Sequence, residues 1–599
     1  MKKVNIGKVV SVTNDSIDVM INVNHMEPYL IINSNVIKIG GVGNYVRVKN
    51  FVYEIISDKA TLELENKYIN DLNTSKILKC NLIGYFHQSK FIQGSNGEYP
   101  SVFDDVYTLI DSEISKIYLS GNLNDTISFG SYLFQQNIRF NVDVNKFFAS
   151  HCLIVGNTGS GKSNTLNTIF STLFDKYDVK NSNFLIIDTN GEYSNAFTSS
   201  KTIRYLGAKV DSDDQIRIPI NLLNCEDWKL LLEATEKTQY PIIKSVWRSI
   251  EKNIFELGKD IGRYIVNEII KTLITIFSSN ANPSIKMAAC INLKSEFAYL
   301  SDTFYQQIED LFRFLDEYTI NGTRIVSDNN FVDSTSDLID KIKNYKCNVK
   351  KNCFTVEDFG VLLNACHLMR IYKYNMSENN TSPLIGRFHT HKSDFEKIFD
   401  NYIGTTGQSL MNYVFGNDNI LVCNVADAKK DIRRIMVTFI CSKLYNEVTK
   451  IKRGNKSLHL IIDEAHNYLS NQSIDKEDPI AKTCIETFET IIKEGRKFGV
   501  FLTMSTQRPS DITPTLLSQA HNYVIHKLVN PKDIDVIKNT VPFIDSMSIK
   551  MLSILASGQA IFSGTAFSRP NIVKIDFNAN NSKVESETIK LTQNWNKWI

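Results

Sequence analysis

Residues Gly156-Asn157-Thr158-Gly159-Ser160-Gly161-Lys162-Ser163 follow an apolar run, Cys152 to Val155, and open a helix-forming stretch at Asn164. They match in full the pattern of a glycine, four variable residues and then Gly-Lys-Ser or Gly-Lys-Thr. Glycines let the backbone turn tightly and bring its N–H groups against phosphate oxygens. The helix that follows points its positive end at the same anion. In such a loop Lys162 reaches the β- and γ-phosphates, and the Ser163 hydroxyl ligates Mg²⁺. The spacing therefore predicts a nucleoside triphosphate held by Gly156 through Asn164. What the chain drives with it has to come from elsewhere in the sequence.

A second signal is Leu458 to His466, an aliphatic strand ending in Asp463-Glu464. Two adjacent carboxylates after a buried strand form a Walker-B arrangement. Asp463 is expected to hold Mg²⁺, and Glu464 to orient and deprotonate the attacking water. A third apolar run, Gly499 to Thr506, ends at Gln507. Gln507 is either a sensor of the γ-phosphate or an ordinary turn residue. Phe184 to Tyr193 reads as a buried parallel strand and a polar turn, which brings Asp188 and Glu192 near the ligand crevice. Each of those two is open to a second reading as a cap or turn residue. Arg496, at the end of a helical stretch, is either a surface cation favouring the helix terminus or an arginine finger reaching a neighbouring subunit.

The 599 residues exceed one core and suggest about three or four domains. A net charge of +2 gives no strong overall attraction to nucleic acid, although a ring can still concentrate charge in its pore. The ten cysteines are scattered. Cys347, Cys353 and Cys366-His367 form a loose cluster whose spacing fits no common zinc pattern. Without a signal peptide or an apolar run of membrane-spanning length, the expectation is a cytoplasmic chain with reduced thiols and no membrane.

Along the chain, residues 1 to about 60 read as short strands at Asn5–Val12, Ser16–Val23, Tyr29–Lys38 and Tyr45–Ile56, a small barrel or sandwich. Residues 61–140 are mixed, with a strand at Leu78–Tyr85 and an approach to the P-loop strand at Phe134–Val144. From about 226 to 400 the pattern is helical and carries no recognisable chemistry, with an exposed loop expected at Ser377–Ser382. Arg433 and Arg434 read as surface residues, with pore or interface contacts as the second reading. Strands at Tyr523–Leu528, Gln559–Ser563 and Ile572–Phe577 complete the sheet, and 579–599 is a polar tail.

The motifs occur in one order: Gly156 to Asn164, Asp188 to Tyr193, Ile462 to Tyr468, Glu494-Gly-Arg-Lys-Phe-Gly499 and Ser505-Thr-Gln-Arg-Pro-Ser510. In this the chain resembles the HerA family of the HerA–FtsK branch of RecA-like motors. Ile6-Gly7-Lys8-Val9-Val10 and the β-rich region after it resemble that family's N-terminal HAS-barrel, and Gly558 to Phe567 resembles its C-terminal strand. The resemblance implies an α/β fold, with a RecA-like P-loop NTPase core, an N-terminal small β-barrel and a helical insertion. It divides the chain into a barrel and linker (1–125), the first part of the core (126–225), the insertion (226–400), the second part of the core (401–578) and a tail (579–599). It also implies a homo-hexameric ring that hydrolyses ATP with Mg²⁺ at subunit interfaces and translocates on double-stranded DNA. The implied partner is an effector, a NurA-like or other nuclease or a sirtuin-type NADase, in DNA-end processing or antiphage defence. The family's roles fall on Lys162, Ser163, Asp463, Glu464, Gln507, Arg496 and Glu192. Where the family often has a basic residue just before His151, this chain has Ser150. The alternative is an ATP-responsive platform that scaffolds an effector with little translocation.

Overall fold

The computed structural model describes residues 4–577 and 584, apart from 22–28, 33–34, 39–40, 63–73, 119–122, 198–200, 207–213, 299, 301–302, 313–317, 322–323, 328–334, 346–349, 405–408, 451–455, 472–477, 543 and 545. Apart from residue 584, the tail expected at 579–599 lies outside the described residues, as does Cys347 of the loose cysteine cluster.

Alternating apolar residues in the N-terminal third close a six-stranded barrel. Its order is Ser16–Ile21, Asn5–Val12, Asp105–Thr108, Tyr45–Val48, Phe51–Leu62 and Thr74–His87, and the last strand pairs back onto the first. Val9, Val19, Val48, Ile55, Leu78 and Val106 fill the interior. The barrel therefore runs well past residue 60, because the two long strands Phe51–Leu62 and Thr74–His87 are needed to close it. The run Tyr45–Ile56 is two strands around a turn in which Lys49 takes φ +53°. Tyr29–Lys38 is likewise a hairpin, Tyr29–Ile32 against Asn35–Lys38.

The core is an eleven-stranded sheet. Seven neighbouring strands are parallel, in the order Asn522–Ile525, Cys152–Val155, Val500–Thr506, Ser457–Ile462, Ser182–Asp188, Ile420–Asn424 and Thr202–Tyr205. The P-loop strand thus lies between the strand ending at Ile525 and the one leading to Gln507, with the Asp463 strand next. That is the RecA-like order. Gln559–Gly564, Asn571–Ile575, Thr126–Tyr132 and Arg139–Asp143 extend the sheet antiparallel on the Asn522 side. Phe134–Val144 consequently does not run straight into the P-loop strand. It supplies the outermost strand, and helix Val144–Phe148 intervenes.

Strand alternation sends side chains to two faces. Cys152, Ile154, Phe184, Ile186 and Val422 meet Leu166, Ile169 and Phe170 of helix Lys162–Lys176 on one face. Leu153, Val155, Leu185, Ile187 and Leu421 join a single cluster on the other face that continues through Trp228, Trp247 and Phe359. The helical stretch is therefore the second covering layer of the sheet. Phe359 stacks on Trp228 with ring centroids 4.0 Å apart. Ser377–Ser382 is no loop. Ser377 stands at the N-cap position of the 21-residue helix Glu378–Ile398, and Pro383 sits inside it. Arg434 is buried and paired with Asp478 at 2.5 Å, because its helix, Lys430–Lys450, is covered by helix Pro479–Glu494.

Barrel and core meet at Arg569, beside the strand Asn571–Ile575. Its guanidinium lies over the rings of Tyr45 and Tyr118, at 5.0 and 5.3 Å, and pairs with Glu54 at 3.3 Å.

Candidate nucleotide site

The parallel strands all point their carboxyl ends at one crevice, and the loops there assemble the site. Gly159 and Gly161 of the P-loop adopt φ +73° and +105°, values open to glycine at little cost. Gly156 answers to close approach instead, since a Cβ there would stand 2.5 Å from Cβ of His526. The loop is tied to its neighbours by Gly156 N donating to Thr506 O at 3.3 Å and Asn157 N donating to Lys527 O at 2.9 Å. Helix Lys162–Lys176 starts at Gly161 with no side chain capping it, so its first-turn amides face the crevice as an anion site.

Lys162 is buried and folds back onto the loop, donating to Gly156 O at 2.8 Å and Asn157 O at 3.3 Å. Burial pushes its ammonium pKa down, against the opposing fields of Glu464, Asp463 and Glu192. Asp463 and Glu464 end the strand Ser457–Ile462 as expected. Burial, and then the neighbouring Glu464, raise Asp463 to about 7. Its Oδ1 is buried without a hydrogen-bond partner among the described residues. Glu464 takes φ +49°, a conformation that costs a non-glycine residue of order 1–3 kcal/mol and concentrates at working sites. Two donors from Asn467, N at 2.9 Å and Nδ2 at 3.1 Å, hold the Glu464 carbonyl there.

Gln507 links the two motifs. Its Oε1 accepts from Thr158 Oγ1 of the P-loop, and its Nε2 donates to Glu464 Oε1. His466 Nδ1 lies 3.3 Å from the other Glu464 oxygen. Glu192 lines the crevice, whereas Asp188 serves its own turn. The Asp188 carboxylate accepts the amides of Gly191, Glu192 and Tyr193 at 2.8, 3.0 and 2.9 Å.

Lys162, Ser163, Asn164, Thr158, Glu192, Glu464 and Gln507 share one cleft of about 420 Å³. Arg496 is not among them. It is exposed in the turn Gly495–Phe498, 3.4 Å from His521, at the amino end of the strand whose carboxyl end carries Gln507. The cleft also has a wall that sequence reasoning did not assign: Ser557, Gly558, Lys574, Ile575 and Phe577. The approach of Gly558 to the P-loop is a long-range packing fact that no local pattern announces. His526, buried against Gly156 and 3.0 Å from Thr165, was missed for the same reason. Among the described residues, which leave out Cys347, there is no group of three or more His, Cys, Asp and Glu that could hold a metal ion. Nor is any helix among them long and apolar enough to cross a membrane.

A family model for the central domain of the helicase HerA matches residues 127–349. The probable DNA double-strand break repair helicase HerA of Methanocaldococcus jannaschii is 24% identical over 549 residues, covering 89% of this chain and 90% of that protein. The DNA double-strand break repair helicase HerA of Pyrococcus furiosus is 23% identical over 511 residues, covering 84% and 78%. Among solved structures, the plasmid coupling protein TrwB with an ATP analogue aligns with 12% identity and a TM-score of 0.40, over 80% of this chain and 95% of that one.

Proposed function

We propose that this chain, a P-loop ATPase with a RecA-like sheet and HerA helicases among its relatives, is a ring motor that translocates on double-stranded DNA. The observation that carries the reading is the Thr158–Gln507–Glu464 bridge. It connects the loop that grips the phosphates to the carboxylate that activates water. In our reading ATP enters with its phosphates at the P-loop amides, and Lys162 leaves the two loop carbonyls for the β- and γ-phosphates. Mg²⁺ would fit between the Ser163 hydroxyl and the orphaned Asp463 oxygen, where it would neutralise phosphate charge. Glu464 accepts the proton of the attacking water as that water's oxygen bonds to phosphorus and the bridging oxygen departs with ADP. Gln507 reports the γ-phosphate to the rest of the sheet. Glu192, at the cleft edge, positions the polar shell around the phosphates.

The oligomer in this proposal is a hexamer, with Arg496 of one subunit completing the site of the next. The effector, a nuclease or an NAD-hydrolysing protein in an antiphage or DNA-end-processing pair, is a further part of it, and we assign its docking to the barrel. ATP turnover by the full chain with and without linear double-stranded DNA, beside Glu464→Gln, tests the motor. We expect DNA to stimulate turnover, and the variant to bind ATP while losing about 10²-fold or more in rate. Turnover indifferent to DNA would reject translocation and favour the scaffold.

A further inference from the structure

The cleft is longer than the phosphate cradle. One end holds Thr158, Lys162, Ser163 and Glu464. The other is formed by Ser557, Gly558, Lys574, Ile575 and Phe577. The two ends are in direct contact, since a Cβ on Gly161 would stand 3.1 Å from Gly558 N. A base that extends along this wall from phosphates held at the P-loop would meet Phe577. There Phe577 is 70% exposed, although the phenylalanine of the neighbouring strand, Phe562, is fully buried. An aromatic ring left open on the wall of a ligand cleft offers a face for stacking.

Several polar groups beside that ring are committed within the protein. Ser557 Oγ donates to Gly159 O at 3.0 Å, and Gly558 N donates to Ser160 O at 3.0 Å. Asn164 Nδ2 donates to Asp576 O at 3.4 Å, Ile575 N to Gly558 O at 2.9 Å and Asp576 N to Phe129 O at 3.0 Å. Adenine and guanine differ at position 6, an amino donor against a carbonyl acceptor. Strong discrimination needs a site group aimed at that edge.

We propose that Phe577 is the base platform of this site, stacking the purine of the bound nucleotide, and that the site takes adenine and guanine nucleotides alike. This rests on reading the cleft as a nucleoside triphosphate site. It adds the residue that holds the base and the breadth of substrate. Stacking tolerates either purine because every base has a π-face.

The test is calorimetric titration of the full chain with ATP, GTP and inorganic tripolyphosphate, comparing wild type, Phe577→Ala and Phe577→Trp. The wild type should bind ATP and GTP within about fivefold of each other, since stacking does not separate the two purines. Phe577→Ala should lose about tenfold or more for both nucleotides and keep its tripolyphosphate affinity. Phe577→Trp should retain nucleotide binding. Unchanged ATP binding by Phe577→Ala, or an equal loss for tripolyphosphate, would overturn the platform. A preference for ATP over GTP of about 100-fold or more would overturn the lack of discrimination. Failure of all three ligands to bind the wild type would instead remove the nucleotide-site reading, and this inference with it.

Discussion

Histidines in the interior of this protein are held neutral, and that makes its stability a function of pH. Burial lowers His151 and His367 to about 4, and His459 and His526 to about 3, from an ordinary value of 6.5. Each folded value lies below the unfolded one, so on acidification the unfolded chain takes up protons first. Their contribution to stability is therefore complete above about pH 6.5 and falls as pH drops toward the folded values. His459 isolates the effect, because it lies away from the crevice. It stacks on Phe184 at 4.4 Å and accepts or donates one bond to Ser457 at 3.1 Å. Replacing it with glutamine keeps a polar group for Ser457 and removes the titration. Chemical denaturation from pH 7.5 to 5 should show a shallower loss of stability in His459→Gln than in wild type. Parallel curves would mean that His459 contributes nothing to acid sensitivity.

At the scale of elements, the helical layer carries a buried charge that ties Tyr305 to the start of helix Val356–Tyr374. Asp358 closes a capping box with Thr355 at the start of helix Val356–Tyr374. The same carboxylate accepts from Tyr305 at 2.5 Å and pairs with Lys351 at 3.1 Å, both partners being buried. Removing one member of such a pair typically costs about 3–5 kcal/mol, because the other charge is left uncompensated. Lys351→Met should therefore lower the melting temperature by several degrees and leave unfolding a single transition that also abolishes ATP binding. Separate melting of the helical layer, with ATP still bound, would show that the layer does not share the core of the sheet. The helices themselves were legible, since Ile243, Trp247, Ile250 and Ile254 repeat at helical spacing. Their role as a layer was not, because packing of Trp228 against Phe359 joins residues far apart in sequence. The same division runs through the site. Lys162, Glu464 and Gln507 were readable because each follows an apolar strand, Lys162 by way of the glycine-rich loop, and parallel strands gather their carboxyl ends. Gly558 and Phe577 come from antiparallel strands added beyond that set, where no strand-end rule applies. The barrel was cut short in the sequence because Phe51–Leu62 and Thr74–His87 carry polar residues in their outer halves, which weakens the alternation.

At the scale of the whole molecule, the position of Arg496 decides how the sites must work together. It lies beyond the amino end of Val500–Thr506, and Gln507 lies beyond the carboxyl end. Seven residues of strand separate the two ends by roughly 20 Å. An arginine there is a full strand length away from the nucleotide of its own subunit. Our proposal that it acts on a neighbour's nucleotide therefore makes two predictions. Alone, Arg496→Ala should bind ATP normally and lose about 10³-fold or more in turnover. Mixed with Glu464→Gln subunits under conditions of subunit exchange, it should regain activity. Each Arg496→Ala subunit keeps an intact Glu464, and a Glu464→Gln neighbour still supplies Arg496, so some interfaces become complete. Two individually inactive proteins that stay inactive after exchange would place the defect of Arg496→Ala within its own subunit, as a packing contact with His521, and the ring would need another residue to couple its sites.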